Sequence, residues 1–140
     1  MRLITWNVNG LRAHINKGAW EWSASQKADV ICYQEIKAKP EQLTVDQMGS
    51  FDAYHPAWNP AKKLGYSGVA TFSKNEALNT NIGIGKPKFD VEGRVLESDF
   101  GDFTLFNVYF PSGQKGPERV KYKLSFYRAL LKKIDALHEA

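Results

Sequence analysis

A chain of 140 residues with 43% hydrophobic and 13% aromatic side chains has the composition of one folded domain, which excludes the disordered and low-complexity classes. Nineteen basic against fifteen acidic residues leave a net charge of +4 and a pI of about 9.1, a balance that suits an anionic partner without demanding one. The single cysteine, Cys32, excludes a disulfide framework and a cysteine-rich zinc site, and no run approaches the roughly 20 apolar residues that cross a bilayer. Residues 1–7 run straight into a strand-like pattern with no signal-peptide core or cleavage site, so a reducing cytoplasm without membrane contact is the expected compartment.

The first predicted strand covers 2–8, where Ile4, Trp6 and Val8 alternate with Thr5 and Asn7. A helix over about 18–26 follows. Residues 29–35 form a second strand whose nearly continuous apolar run predicts burial on both faces. Pro40 opens a short helix that ends before Gly49. Strands are then expected at 54–58, before the Asn59-Pro60 turn, at 67–73, and at 81–84. Residues 94–100 and 104–110, separated by Gly101-Asp102, read as a hairpin. Pro117 opens a last helix with an apolar stripe of Val120, Leu124, Tyr127, Leu131, Ile134 and Leu137. Seven basic residues between Lys115 and Lys133, against the single acid Glu118, read either as a solvated helix face or as an anion-facing surface. Strands mixed with a few helices predict an α/β or α+β sandwich. The number of strands that read as buried on both sides exceeds what 140 residues can cover.

In open α/β sheets, polar residues at strand ends are where ligands sit. Three strands end that way here, with Asn7 and Asn9, with Gln34, Glu35 and Lys37, and with Asn107 and Tyr109. Glu35 follows an apolar strand, so its carboxylate needs a counter-charge. It either pairs with a nearby lysine or holds a cation such as Mg²⁺, which keeps several waters and takes few protein ligands. Asn7 and Asn9 are turn formers or orienting amides, and Tyr109 is a strand aromatic or a phosphate donor. Gly65-Tyr66-Ser67-Gly68 places an aromatic between glycines. Arg94 offers a guanidinium for a phosphate. Ser112-Gly113-Gln114-Lys115-Gly116 is a basic loop at a helix N-terminus, where backbone amides favour an anion. His14, His55 and His138 show no ligand spacing and read as loop or surface residues.

Residues 6–13 (Trp-Asn-Val-Asn-Gly-Leu-Arg-Ala), 34–37 (Gln-Glu-Ile-Lys), 65–70 (Gly-Tyr-Ser-Gly-Val-Ala), 92–94 (Glu-Gly-Arg) and 107–113 (Asn-Val-Tyr-Phe-Pro-Ser-Gly) occur together, in order. In this set the chain resembles the bacterial exonuclease III-type apurinic/apyrimidinic endonucleases of the endonuclease/exonuclease/phosphatase superfamily. The resemblance runs from residue 1 over the whole chain. It implies a four-layer α/β sandwich with two facing mixed β-sheets, of which residues 1–140 are the N-terminal half of a single domain. It implies a bacterial, nucleoid-associated DNA-repair nuclease that needs Mg²⁺ (Mn²⁺ as a substitute). That nuclease hydrolyses the phosphodiester 5′ to abasic sites in duplex DNA and has 3′-to-5′ exonuclease and 3′-phosphatase activity. By resemblance Glu35 holds the metal, with Asn7 beside it orienting the site, and Tyr109 holds the scissile phosphate. Asn9, Arg12, Lys37, Tyr66, Arg94, Ser112, Gln114 and Lys115 would lie along the DNA.

Family members continue through a Gly-Asp-x-Asn motif, a further Asp and an Asp-His pair, which the resemblance makes the water-activating and orienting groups. Gly101-Asp102-Phe103-Thr104 lacks the Asn of that motif and reads as a turn. The expected partners are therefore abasic or 3′-ended duplex DNA, the C-terminal half of the same domain, and copies of the chain itself through uncovered sheet surface. Residues 1–140 alone are expected to be inactive. Two other readings stand: a catalytically silent DNA-binding or interaction fragment, and a phosphoesterase of the same superfamily acting on a lipid or small phosphoester.

Overall fold

The computed structural model describes residues 1–139. Two sheets face each other. The first, in the order β1-β2-β4-β3, contains β1 (Leu3–Asn7), β2 (Val30–Gln34), β3 (His55–Asn59) and β4 (Val69–Ser73). It is mixed: β1 runs parallel to β2, and β4 is antiparallel to both β2 and β3. The second, in the order β5-β6-β7, contains β5 (Asn79–Ile82), β6 (Val95–Asp99) and β7 (Thr104–Val108). It is antiparallel throughout, so the mixed pattern expected of both sheets is seen in the first alone. The turn between β6 and β7 is too short for the crossover that a parallel pair needs.

Period-two alternation sorts each strand between two environments. On the outer face of the first sheet, Ile31, Tyr33, Ala70 and Phe72 pack against Leu11 and Ile15 of α1 (Leu11–Asn16) and Trp20 of α2 (Ala19–Ser25). Trp20 stands edge-on to Tyr33, Phe51, Tyr54 and Phe72. On the outer face of the second sheet, Val95, Phe106 and Val108 meet Phe89 of α4 (Pro87–Asp90) and Phe126 and Leu130 of α5 (Pro117–Glu139). The order of layers is helix, sheet, sheet, helix, which is the four-layer sandwich. A single 3₁₀ turn at Pro40–Gln42 and α3 (Val45–Gly49), closed by a Thr44/Gln47 capping box, replace the one continuous helix expected there.

Between the sheets the inward residues mix the aliphatics Val30, Val69 and Leu96 with small or polar side chains such as Cys32, Thr71 and Ser98, and two amide side chains join the layers. Asn107 of β7 is 2% exposed. Its Nδ2 donates to Tyr33 O (3.3 Å), Ala70 O (2.9 Å) and Thr71 Oγ1 (3.1 Å), and its Oδ1 accepts from Gln34 Nε2 at 2.9 Å. Asn59 makes a second tie by donating to Val95 O at 2.8 Å.

Four expectations need correction. The α1 turn was unpredicted; Leu11 and Ile15, four apart, bury one short face. The α4 turn was also missed, being only four residues long. Along α5 the buried seam is Phe126 and Leu130, flanked by Tyr122 and Ile134, whereas Val120, Leu124, Leu131 and Leu137 are exposed. Two apolar stripes share this helix, and periodicity alone does not tell which one meets the sheet. His14 is not a surface residue: it is buried, and its Nε2 lies 2.9 Å from the Tyr33 hydroxyl. Ser23 Oγ donates to Ala19 O and receives the Tyr33 hydroxyl at 2.7 Å, so His14 Nε2 carries the hydrogen toward Tyr33. Among the described residues, no helix is long and apolar enough to cross a membrane.

Two measurements test this packing. Asn107→Ala strands buried acceptors on β2 and β4 of the first sheet and is expected to lower the unfolding free energy by about 2–3 kcal/mol in urea. Burial lowers the His14 pKa from 6.5, because the cation is the form that burial penalises. His14 therefore stabilises the fold above pH 6.5, and that contribution is lost as the pH falls through its depressed folded pKa. A His14→Gln variant should show a flatter stability profile over this range.

Candidate active site

The parallel pairing of β1 and β2 brings their C-terminal ends to one edge of the sandwich, and the antiparallel β4 begins there. The start of β6 and the end of β7 reach the same edge from the second sheet. Backbone hydrogen bonds stitch the loops together. Gly10 N donates to Glu35 O and Leu11 N to Ile36 O, both at 2.8 Å, while Lys37 N donates to Ser67 O at 2.9 Å. Ile36, fully buried, anchors the loop from below. A Cβ on Gly68 would stand 2.8 Å from Ile36 Cγ1, so glycine is what lets this anchor seat.

The result is a cavity of about 240 Å³ lined by Glu35, Lys37, Gly65, Tyr66, Ser67, Arg94, Tyr109, Ser112, Lys115 and Arg119. Of the five residues other than glycine with positive φ, four lie at this edge: Asn9 (47°), Glu35 (58°), Lys37 (52°) and Ser67 (51°). Such backbone costs about 1–3 kcal/mol at each position and clusters at functional sites.

Seven of the expected site residues converge on the cavity: Glu35, Lys37, Tyr66, Arg94, Tyr109, Ser112 and Lys115. Four do not line it. Asn7 is turned into its own loop, its Oδ1 accepting from Asn9 N at 3.1 Å. Asn9 reaches the cavity only through Lys37, whose Nζ lies 2.6 Å from Asn9 Oδ1. Arg12 donates to Lys37 O at 3.3 Å on the exposed rim, and Gln114 bonds by its backbone to Ser112 Oγ at 3.2 Å. Ser67 and Arg119 were not singled out. Arg119 carries a readable signal, since a cation in the first turn of a helix opposes the helix dipole and needs an anionic partner.

That partner is Glu92. Its Oε1 lies 2.8 Å from Arg94 Nη2 and 3.0 Å from Arg119 Nη2, and accepts from the Tyr66 hydroxyl at 2.9 Å. Burial alone would raise the Glu92 carboxyl, but the donors from Arg119, Arg94 and Tyr66 outweigh it and hold the pKa down at about 2. Arg94, 3% exposed, also donates to Tyr109 O at 2.9 Å, and its guanidinium lies 5.1 Å from the centre of the Tyr109 ring. Burial first, then the charge of Glu35, push the Tyr109 hydroxyl up, so it remains a donor. Glu35, with a side chain 19% exposed, pairs with Lys37 Nζ at 3.2 Å.

The chain belongs to the endonuclease/exonuclease/phosphatase family. The family pattern matches residues 4–140. The chain is 42% identical over 140 residues to an exodeoxyribonuclease of Bacillus subtilis, covering 99% of this chain and 54% of that protein. It is 39% identical to the DNA repair nuclease APEX1 of Danio rerio, covering 97% of this chain and 45% of that protein. The fold matches that of the 3′ phosphatase NExo from Neisseria, solved with a product DNA hairpin, with a TM-score of 0.82 and 24% identity over 99% of this chain and 53% of that one. The chain thus spans about half the length of the family relatives that it matches.

Whether the cavity suits a divalent cation turns on its donors. Among the described residues no three His, Cys, Asp or Glu side chains converge as a metal cluster. One carboxylate, Glu35, offers itself with a lysine as its ion-pair partner and the Tyr109 hydroxyl close by. That donor set fits an ion that keeps most of its waters, such as Mg²⁺, and not one that needs a protein cage.

The Glu92 network yields a titration test. A carboxylate held at about 2 in the fold against 4.5 outside it contributes stability above pH 4.5 that is lost as the pH falls toward 2. Urea unfolding between pH 5 and 2.5 should show this loss, roughly 2 kcal/mol in size, and Glu92→Gln should remove the dependence.

Proposed function

We propose that this chain carries the metal- and phosphate-holding side of a DNA-repair nuclease that hydrolyses the phosphodiester 5′ to abasic sites, with 3′-to-5′ exonuclease and 3′-phosphatase activity on the same geometry. The observation that carries this reading is the cavity itself, where four cationic side chains and a protonated tyrosine surround one carboxylate that has no arginine partner. The names of the Bacillus and Danio relatives favour DNA as the substrate. Residues 1–140 are read as the N-terminal part of a single domain whose other part completes the site. The coverage of about half of each curated relative supports this, and each sheet ends in two strands, β1 and β3 or β5 and β7, that have a free side among the described residues. Those open edges also suit self-association of the chain. The Bacillus relative favours a bacterial setting.

In this reading the cation is Mg²⁺, with Mn²⁺ as a substitute, held by Glu35, with Asn7 at the end of the neighbouring strand β1. When bound it supplies charge neutralisation at the phosphate and at the departing 3′-oxygen. The Tyr109 hydroxyl donates to a phosphate oxygen and fixes the phosphorus for in-line attack by water. Lys37, Arg94 and Lys115 offset the phosphate charge, and Tyr66 presses on the sugar opened by the missing base. Asn9, Arg12, Ser112 and Gln114 follow the backbone along the rim. Contacts of this kind read backbone shape more than base sequence.

One feature favours a second reading, a DNA-binding chain that does not cut. Among the described residues the one carboxylate lining the cavity is Glu35, and the nearby Glu92 is tied up by two arginines, so no second free carboxylate stands there to activate water. The test is a labelled duplex with one abasic-site analogue, mixed with the 140-residue chain in Mg²⁺ or EDTA. The expected outcome is binding that weakens steeply with salt, no incision, and a Mg²⁺ effect on affinity that Glu35→Ala abolishes. Mg²⁺-dependent incision lost in Glu35→Ala would put a water-activating group within these residues and overturn the half-site assignment. Absence of DNA binding would overturn the nuclease reading.

A further inference from the structure

Among the described residues, one buried side-chain oxygen has no hydrogen-bond partner: the Oγ of Ser67. Ser67 is 2% exposed and lines the cavity beside Glu35, Lys37 and Tyr109. Its backbone is left-handed, with φ of 51°. Neither property helps the fold. A buried hydroxyl without a partner is destabilising, and a left-handed φ strains any residue that carries a Cβ. Gly65, at φ of 67° with open space where a Cβ would stand, shows that this segment takes glycine where only turn geometry matters. Serine at 67 is therefore held against two costs, and the compensation lies on the cavity side.

Charge identifies the ligand class. Lys37, Arg94, Lys115 and Arg119 line the cavity against one carboxylate, Glu35, so an anion rich in oxygen acceptors fits. A serine hydroxyl offers one donor to such an oxygen. We propose that Ser67 is a phosphate-positioning residue whose hydroxyl donates to a non-bridging oxygen of a phosphodiester seated in this cavity. The step that delivers it is a rotation about χ1 between staggered positions. The hydrogen bond from Lys37 N to Ser67 O, 2.9 Å long, carries the hydroxyl on the loop pair that also holds the Glu35 turn. Phosphate and carboxylate are thereby referred to one rigid piece of backbone. This inference rests on the nuclease reading above.

Ser67→Ala keeps Cβ and removes only the hydroxyl. The probe is a fluorescent duplex with a tetrahydrofuran abasic-site analogue, its Kd read by anisotropy with the 140-residue chain, alongside a thermal melt. Ser67→Ala should weaken binding about tenfold while Tm stays the same or rises. Ser67→Gly, which also relaxes the backbone, should show the same loss with a Tm at least as high. Inorganic phosphate should compete more effectively against the duplex on the wild type than on Ser67→Ala. Wild-type affinity in Ser67→Ala, or a fall in Tm that parallels the fall in affinity, would overturn the proposal in favour of a structural serine. A wild type that does not bind the duplex would instead bring down the nuclease reading, and this inference with it.

Discussion

The cavity exists because the Asn107 side chain joins two sheets. Its amide spends three hydrogen bonds on the first sheet and receives a fourth from Gln34. Gln34 directly precedes Glu35, and Asn107 lies two residues before Tyr109. The carboxylate and the phenol therefore inherit their separation from a buried polar contact one or two residues away. A purely apolar interface would hold the sheets together without fixing their registry, since apolar contacts are not directional. Directional bonds in a place shielded from water penalise sliding, and the site needs that registry.

The two acidic side chains at this edge show how environment separates roles for one chemical group. Glu92 is enclosed by two guanidinium groups and a tyrosine hydroxyl, which makes it a fixed counter-ion that sets the pose of Arg94, Arg119 and Tyr66. Glu35 faces one lysine on a flexible stem. Lysine is a compact charge that can swing away, whereas an arginine fork binds a carboxylate in a set geometry. The edge thus has one acid locked between two arginines and one whose ion-pair partner is a single lysine.

Much of this architecture was legible in the sequence, and the limits of that legibility are physical. Strands with period-two alternation or continuous apolar runs, such as 30–34 and 69–73, appear where expected because burial on both faces leaves a strong signal. Strand ends rich in Asn, Gln, Glu and Tyr meet at one edge as expected, because strands of both sheets begin or end there. The α5 seam was misread because Tyr122, Phe126 and Leu130 compete with a second stripe of similar apolarity, and only the position of the sheet decides between them. His14 looked like a surface residue because its partners, Tyr33 and Ser23, are distant in sequence. The same holds for Arg119 and Glu92, 27 residues apart. Spacing reveals neighbours on one element, and these contacts run between elements.

The left-handed residues at the cavity edge carry a consequence for the history of the chain. Glycine would occupy positions 35, 37 and 67 with less strain. A lineage selected only for heat tolerance would drift toward glycine at those sites and lose the carboxylate, the ammonium and the hydroxyl together. The easiest relief of backbone strain in this chain therefore lies at the residues proposed for chemistry, so a sturdier variant made there would test their worth directly.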